Sequence, residues 1–526
     1  MLRPKTAPRD HLLLPSHPTP NGPLHLGHIA GPYLKMDVLR RALKRRGDRA
    51  TMIFSLDSFD SYVLLRADQL GLKPEEVVAR YSAEIRADLE GLDIDVDLFL
   101  DPLSGAFETP YRQAVLASVE SQRTAGAVFE QQEKFLYSDR SSRFIVGALL
   151  RGRCPKCNAD SSGYSCEVCA SPYRPEELRD PHSRVEEGPL TSVAACTLFM
   201  RVLKTERLRE WSEEMLSPPY HAIVEKYLES SGASVRMSVP GTWGVPISVE
   251  ADPTPQVVFS GFASLGLMRA CGVEYAKVTG KGNPFRADSD AVVICSFGVD
   301  NLVSRMLSCV GGALNEGMRP PDALLLNRFY RLEGAKFSTS RNHAIWASAV
   351  AKAGRALSDL VRFHLLSTAP EDGETDFLAK DFRTTAAELV DRWNGIIQRM
   401  ASRAVPSPAP DSTVDGLVEA LKKQDTHLDP HAFRSRSLPD VVREWVHRGE
   451  AGDDPPYWWL KAFALLAWPL LPKLGSALWR FLGHNGEPDE QDFRVVTEMS
   501  GQPVTIFQFM PADIETMLRT PGSPPA

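Results

Sequence analysis

Two histidines three residues apart, His25 and His28, lie where the chain could bind a phosphate group. A short apolar run precedes them, and apolar residues at helical spacing follow over residues 24–46, which predicts a strand, a turn and a helix. A helix beginning at Pro23 directs unpaired backbone N–H groups and its positive dipole end at a ligand, and Gly27 permits close approach. This arrangement suits a triphosphate whose α-phosphoryl group gains charge as pyrophosphate leaves. In isolation, a His-x-Gly-His pattern also arises by chance.

Carboxylates follow two further predicted strands. Residues 50–55 complete a β-α-β unit and are followed by Asp57 and Asp60, and the buried strand 291–297 is followed by Asp300. Because ligands of open α/β sheets bind beyond the carboxyl ends of the strands, Asp57 is a candidate for holding an ammonium group and Asp300 for holding a ribose. The alternatives are a helix cap at Asp57 or Ser58 and an ordinary turn at Asp300.

A loop at residues 333–341 combines a glycine, one lysine and several hydroxyl groups before the next helix. Its Lys336, Ser338 and Ser340 could close over a triphosphate and leave with pyrophosphate. In isolation, the same residues would form an ordinary basic loop.

Four cysteines form two Cys-x-x-Cys pairs separated by eight residues: Cys154, Cys157, Cys166 and Cys169. Two such pairs supply four thiolates for a tetrahedral structural zinc ion, and the polar segment 160–164 suits the turn between them. Zinc is favoured over a redox role for these pairs. The ion is expected to fold this module and perform no chemistry, because no ligand position remains for water.

The composition excludes several classes of protein. The chain has 526 residues, 43% of them hydrophobic and 24% charged, which predicts several globular domains. The net charge of −7 gives no overall nucleic-acid footprint, and the basic cluster at residues 40–46 is interpreted as the solvated face of the first helix. The start of the chain lacks a signal-peptide core, the apolar run 462–471 is too short to cross a membrane, and the paired cysteines suit a reducing compartment, so a cytoplasmic location is expected.

From about residue 346 onward the chain is predicted to be helical. Helices are expected at 346–366, 382–403, 415–423 and 456–482, with proline-rich interruptions between them. The end of the chain, rich in Pro, Gly and Ser, is expected to be disordered.

Taken together and in this order, these motifs resemble the class I aminoacyl-tRNA synthetases, and most closely the methionyl-tRNA synthetase family. The resemblance covers nearly the whole chain and includes residues 243–246 (Trp-Gly-Val-Pro) and 298–301 (Gly-Val-Asp-Asn). It implies an α/β, Rossmann-like catalytic domain with a zinc-knuckle insertion, followed by an α-helical anticodon-binding-like domain. The expected parts are 1–120 and 235–345 for the two catalytic halves, 121–234 for the insertion, 346–482 for the helical domain and 483–526 for a C-terminal extension.

The resemblance also implies a two-step reaction. An amino-acid carboxylate attacks the α-phosphate of Mg²⁺·ATP to give an aminoacyl-adenylate, and the acyl group then moves to tRNA. His25 and His28 would hold the phosphates in the transition state, and Lys336 would follow the leaving pyrophosphate. The remaining implied ATP-binding residues are Asn21, Gly27, Gly298, Asp300, Ser338 and Ser340. The implied amino-acid-binding residues are Leu13, His17, Asp57, Asp60, Phe259 and Arg305.

Three departures from the family pattern concern the pyrophosphate loop, the amino-acid pocket and the reading of the anticodon. Thr339 stands where the family's loop has a second lysine, and Arg305 stands where the family has a histidine. An arginine in an apolar thioether pocket is costly unless it is paired. Either Arg305, with His17, holds a polar or acidic side chain, or it pairs with Asp60 and closes a pocket for a small one. The usual anticodon-reading aromatic cannot be placed: Trp458 and Trp459 are candidates, and equally core residues.

Three functions remain open on these grounds. The leading one is an enzyme that activates methionine or a more polar amino acid with ATP and charges tRNA, as a monomer or homodimer with no membrane partner. The second is a biosynthetic ligase that passes the activated amino acid to a small amine. The third is a non-catalytic tRNA-binding protein, which would have no use for the two histidines together with Asp57, Asp300 and Lys336.

Overall fold

The computed structural model describes residues 7–164, 166, 169, 171–337, 343–354, 357–452, 454–500 and 506–519, without the side chains of residues 230 and 231. Ser338 and Ser340, predicted to bind ATP, and Thr339 lie outside the described residues. The same holds for residues 520–526, most of the tail for which disorder is predicted.

The strands belong to five sheets, of which the largest has five strands. In chain order they are β1 (Asp10–Pro15), β2 (Arg49–Ser55), β3 (Leu98–Leu100), β4 (Val128–Ser138), β5 (Arg143–Ile145), β6 (Leu150–Arg153), β7 (Asp160–Ser162), β8 (Arg179–Ser183), β9 (Thr191–Arg201), β10 (Ser234–Arg236), β11 (Ser238–Pro240), β12 (Pro246–Val249), β13 (Asp252–Val258), β14 (Val292–Gly298), β15 (Ala323–Asn327), β16 (Tyr330–Leu332), β17 (Ala335–Lys336) and β18 (Thr375–Phe377).

The helices dominate the second half of the chain. In chain order they are α1 (Leu26–His28), α2 (Leu34–Arg45), α3 (Ser61–Leu70), α4 (Pro74–Gly91), α5 (Gly105–Thr124), α6 (Thr205–Met215), α7 (Pro218–Ser231), α8 (Ser260–Thr279), α9 (Leu302–Arg305), α10 (Gly312–Glu316), α11 (Ala347–Ala353), α12 (Leu357–Ser367), α13 (Ala379–Ala387), α14 (Asn394–Arg403), α15 (Asp411–His427), α16 (Leu438–Ala451), α17 (Pro456–Ala467), α18 (Pro472–Phe481) and α19 (Pro511–Arg519). Short π-helical turns occur at Ile29–Tyr33, Met306–Gly311 and Glu388–Trp393.

The five-stranded sheet is parallel and has the order β15-β14-β1-β2-β3. Its strands are apolar on both faces because helices cover both: α2 and the helical region pack on one face, and α5 and α8 on the other. From β1 the chain proceeds to β2 and β3 on one side, whereas β14 and β15 lie on the other. The junction of β1 and β14 is therefore the switch point of the sheet, where a crevice is expected.

Between the two halves of this sheet the chain forms an antiparallel insertion. Strands β4, β5, β9 and β10 make one sheet, and β6, β7 and β8 make a smaller sheet whose strand ends carry the first cysteine pair. Helix α5 ends at Thr124, and β4, the strand that follows it, is 11 residues long. The α/β fold with a knuckle insertion and a helical C-terminal region is confirmed.

The helix predicted over residues 24–46 is interrupted. Pro32 lies inside a π-helical turn and Gly31 has non-helical backbone angles, so the segment divides into α1 and α2. Similarly, the helix predicted over 456–482 divides into α17 and α18, with Pro469 between them. Helix α16 was not predicted from the sequence.

The interpretation of residues 40–46 as a solvated face is wrong for the arginines that α2 buries. Arg40, Arg41 and Arg45 are at most 8% exposed. Arg40 pairs with Asp95 and Asp97, and Arg45 with Glu490. These carboxylates are distant in sequence, so helical periodicity alone could not reveal that the arginines are buried in an interface.

A further ion pair, with both side chains fully buried, joins α2 to the helical region. Asp37 and Arg362 are both fully buried, with Arg362 Nη2 donating to Asp37 Oδ2 over 2.7 Å. Arg362 also donates to the carbonyl oxygens of Leu92, Asp93, Pro469 and Leu470. The Arg362 side chain therefore connects its own helix, α12, to α2 and to the segment before α18.

Arg362→Ala is expected to lower the free energy of unfolding by about 3–5 kcal/mol, because buried Asp37 keeps only Arg41 as an ion-pair partner and four backbone carbonyl groups lose a donor. Urea unfolding followed by tryptophan fluorescence measures the change. The control is Arg392→Ala, whose partner Glu450 is solvent-accessible and whose loss should cost about 1 kcal/mol or less. Equal effects of the two substitutions would contradict a special role for the buried pair.

Candidate active site

A cleft of about 590 Å³ opens at the carboxyl ends of β1 and β14, at the switch point of the sheet. It is lined by the predicted residues from both sides of that junction: His17, Asn21, His25, Gly27, His28, Asp57, Asp60, Gly298, Asp300, Arg305 and Lys336. Residues separated by more than 300 positions in the chain thus face one cavity.

His25 and His28 form a reciprocal cap at the start of α1. The Nδ1 atom of His25 accepts from the backbone N–H of His28 over 3.2 Å, and Nδ1 of His28 accepts from the N–H of His25 over 3.3 Å. Their rings stack with centroids 3.6 Å apart, and Phe337 stacks on the other side of His25. The pair is thereby fixed before any ligand arrives.

This cap determines which ring atom carries the proton. An imidazole whose Nδ1 accepts a hydrogen bond is protonated at Nε2 when neutral. Burial lowers the pKa of His28 to about 4 and, together with the neighbouring His28, lowers the pKa of His25 well below its usual value. At neutral pH the cleft therefore presents two neutral rings, each with an Nε2–H donor for an anionic oxygen.

Two glycines leave room for these side chains. A Cβ atom on Gly27 would lie 3.0 Å from the His25 ring and 3.1 Å from Phe337. A Cβ atom on Gly298 would lie 2.4 Å from Asp300 Oδ1. Gly27 thus permits the His25–Phe337 stack, and Gly298 permits Asp300 to fold back at the end of β14.

Asn327, at the end of β15, lines the same part of the cleft and was missed in the sequence. Its side-chain oxygen accepts from Nζ of Lys35 over 3.2 Å, and its amide donates to the carbonyl of Arg328. Burial lowers the pKa of Lys35 to about 7. In the sequence, Asn327 could have been recognised as the polar residue that follows the apolar run 323–326, which is the pattern that identified Asp300.

Lys336 lies at the edge of the cleft on β17. Its Nζ is 4.7 Å from the centre of the Phe329 ring, and its side chain is exposed. The segment after the loop contacts the start of α1, because His25 and Trp346 form a β-bridge and Leu26 N–H donates to Ile345 O. The loop that carries Lys336 is therefore anchored on both sides close to the histidine pair.

Asp57 and Asp60 form an acidic end of the cleft. Asp60 caps α3, since it accepts from Tyr62 N–H over 2.7 Å, and it also accepts from Ser260 Oγ over 3.1 Å. The cap proposed for Asp57 thus belongs to Asp60. Burial and the neighbouring Asp60 raise the pKa of Asp57, against the effect of Arg305, and burial raises the pKa of Asp60. A bound ammonium group would offset the cost of two buried carboxyls.

Two residues predicted to contact the amino acid do not line the cleft. Leu13 is fully buried in the core, because β1 is a central strand covered on both faces, and its contact with the amino acid stays a prediction. Phe259 lines a second cavity of about 390 Å³, also bounded by Phe59, Tyr164 and Trp243. The Asp60–Ser260 hydrogen bond lies between the two cavities, so Phe259 is next to the cleft but not in it.

The four predicted metal ligands form one cluster. All four sulfur atoms lie within 4.8 Å of one another, with Cys154 Sγ 3.7 Å from Cys169 Sγ and Cys157 Sγ 3.6 Å from Cys166 Sγ. Zinc–sulfur bonds of about 2.3 Å in a tetrahedron require sulfur separations of about 3.8 Å. The cluster therefore fits a zinc ion, and these separations are too long for disulfide bonds.

Comparison with known proteins identifies the family. The profile described as "tRNA synthetases class I (M)" matches residues 13–401. The chain belongs to this family. Its relatives include a methionine–tRNA ligase from Roseiflexus sp. (strain RS-1), 27% identical over 79% of this chain and 73% of that protein. Another, from Thermococcus onnurineus (strain NA1), is 29% identical over 79% of this chain and 58% of that protein.

The fold of this chain also matches solved structures of class I synthetases. Mycobacterium tuberculosis methionyl-tRNA synthetase in complex with methionyl-adenylate superposes with a TM-score of 0.70, covering 96% of this chain and 98% of that one at 16% identity. The resemblance drawn from the motifs is thus confirmed, and the chain is an ATP-dependent ligase of this class. In the described part of this synthetase, no helix has the length and apolar character needed to cross a membrane.

The purified synthetase is expected to hold one zinc ion per chain, and Cys157→Ser to lose it, because three thiolates bind zinc more weakly than four. Elemental analysis of the metal content measures the outcome. Cys196→Ser, in β9 and outside the cluster, is the matched control and should retain the ion. A folded wild-type protein that takes up no zinc from zinc-supplemented buffer would contradict the assignment.

Proposed function

We propose that this synthetase activates an amino acid with ATP in the cleft at the switch point and transfers the aminoacyl group to tRNA. The observation that carries the proposal is the shared cleft. Two neutral imidazole donors, a ribose-side carboxylate, a lysine loop and an acidic pair line one cavity large enough for a nucleotide. A protein that only binds RNA has no need for this set.

In the first step, a carboxylate oxygen of the amino acid attacks the α-phosphorus of ATP, and the bond to the pyrophosphate oxygen breaks. The nucleophile comes from the substrate, so the chain supplies position and charge stabilisation. Asp57 holds the α-ammonium group, and the Nε2–H groups of His25 and His28 donate to phosphate oxygens that gain charge. Asn21 and Gly27 flank the phosphates, and Asp300 accepts from the ribose hydroxyls.

Pyrophosphate departs toward the loop after β17. Lys336 neutralises part of its charge, and Ser338 and Ser340 follow in the same loop. Mg²⁺ is proposed to enter with ATP, because the cleft carboxylates Asp57, Asp60 and Asp300 belong to the amino-acid and ribose ends. In the second step a tRNA hydroxyl attacks the acyl carbon and AMP leaves. None of the eight cysteines forms a disulfide, which suits a cytoplasmic location for this reaction.

His28→Ala is expected to reduce ATP–pyrophosphate exchange at least about tenfold, which is about 1.4 kcal/mol of transition-state stabilisation. His28→Asn retains a side-chain acceptor for the cap and separates loss of the cap from loss of the phosphate contact. His431→Ala, an exposed histidine far along the chain, is the control. Unchanged exchange in His28→Ala would remove His28 from the site.

A small amine as the acceptor is the second candidate, and the helical region favours it. Trp458 and Trp459 are fully buried, and their indole nitrogens donate to backbone carbonyls, so neither can stack on an anticodon base. No aromatic side chain among the described residues is fully exposed. Residues 346–482 carry 17 Lys and Arg against 18 Asp and Glu, so this region has no net positive charge to attract RNA.

Acceptor identity is tested by supplying the radiolabelled amino acid with ATP and either total tRNA or a small amine such as hydroxylamine. Charging of tRNA is the expected result, measured as acid-precipitable label. Since the helical region offers no exposed aromatic, Trp458→Phe should leave the charging rate within about twofold. Adenylate formation without any label in tRNA would overturn the tRNA assignment and support the ligase.

A further inference from the structure

Arg305 occupies the floor of the cleft at its amino-acid end. It is the last residue of α9, close after the end of β14, and is half-buried. It lines both the 590 Å³ cleft and a small cavity of about 60 Å³ beneath it. A substrate side chain that leaves Asp57 toward the floor therefore meets a guanidinium group.

The partner of this guanidinium is an imidazole. Arg305 Nη2 lies 2.5 Å from His17 Nε2, on the loop after β1. Burial, with Arg305 beside it, lowers the pKa of His17 well below its usual value, so His17 is neutral and accepts at Nε2. The ring orients Arg305 but supplies no countercharge.

The ion pair between Arg305 and Asp60 that the sequence left open is not formed. Asp60 is bound instead to Tyr62 N–H and to Ser260 Oγ. Within the described part of the chain, no carboxylate makes an ion pair or a hydrogen bond with Arg305. The charge of Arg305 acts on Asp57 by lowering its pKa, but in the proposed function Asp57 binds the ammonium group of the substrate.

Once an α-ammonium group is bound by the acidic pair, the half-buried guanidinium has neutral His17 as its direct hydrogen-bond partner, and its other N–H donors face the cleft. A thioether or other apolar side chain would desolvate it without replacing its hydrogen bonds, which is costly. A carboxylate matches its planar fork of donors and its charge.

We propose that the amino acid activated by this synthetase carries a side-chain carboxylate, which Arg305 binds while His17 holds the guanidinium in place. The inference rests on the proposed function and names its substrate class. Arg305 is the residue that determines specificity, and His17 is a positioning residue. The competing destinations for a side chain are the small cavity, with Leu267 and Met268 in its walls, for an apolar one, and the cavity beside Phe259 for an aromatic one.

ATP–pyrophosphate exchange with aspartate, glutamate, 2-aminoadipate, glutamine, methionine and phenylalanine tests this. An acidic amino acid is expected to show kcat/KM about 100-fold or more above that of methionine, and above that of glutamine. Arg305→Gln should reduce kcat/KM for the acidic substrate about 100-fold and abolish its advantage over glutamine, with KM for ATP unchanged. Arg305→Lys should restore part of the acidic preference, which a purely structural role would not do.

Arg286→Gln, an exposed arginine paired with Asp288 at the surface, is the matched control and should leave the ratio unchanged. Preference for methionine or phenylalanine, or an acidic preference that survives in Arg305→Gln, overturns the inference and leaves the proposed function standing. Exchange with none of the amino acids overturns the proposed function and the inference with it.

Discussion

In the central sheet, the chain continues from β1 to one side and from β14 to the other. The residues of the proposed reaction lie in the loops that follow these two strands. Parallel strands end at the same edge, so the loop after β1 and the turn after β14 face each other across one crevice. The N–H groups of His25, Leu26 and His28 at the start of α1 already have acceptors, and the reciprocal His25–His28 cap fixes both imidazoles in this crevice. The geometry of the site therefore follows from strand order and one helix start.

Buried charge explains how the remaining parts are held on this frame. Asp37 and Arg362 join the catalytic sheet to the helical region, and Lys35 holds Asn327 at the rim of the cleft. Such groups are costly to bury, so each is found with a partner of opposite charge or a hydrogen-bond acceptor. Arg305 likewise has a neutral acceptor, His17, and in the proposed specificity its remaining donors bind a carboxylate of the substrate.

Local patterns made the residues of the candidate site predictable. The histidine pair and the carboxylates after β2 and β14 follow apolar strands of one parallel sheet, and strand order brings them together, whereas the cysteine pairs were recognisable from their spacing. What the sequence could not show depends on distant partners. The burial of Arg40, Arg41 and Arg45 needs acids from other elements, and Leu13 is inaccessible because both faces of β1 are covered. The π-helical turn at Pro32 was visible in the sequence as a proline, but its geometry depends on packing.

The account depends on one cleft binding nucleotide and amino acid together. A crystal structure with a non-hydrolysable sulfamoyl analogue of the glutamyl-adenylate tests this most directly. The account predicts the adenosine beside Asp300 and Asn327, the sulfamoyl group within hydrogen-bond distance of Nε2 of His25 and His28, and the side-chain carboxylate on Arg305. An analogue bound outside this cleft, or one whose phosphate mimic lies away from the histidine pair, would contradict it.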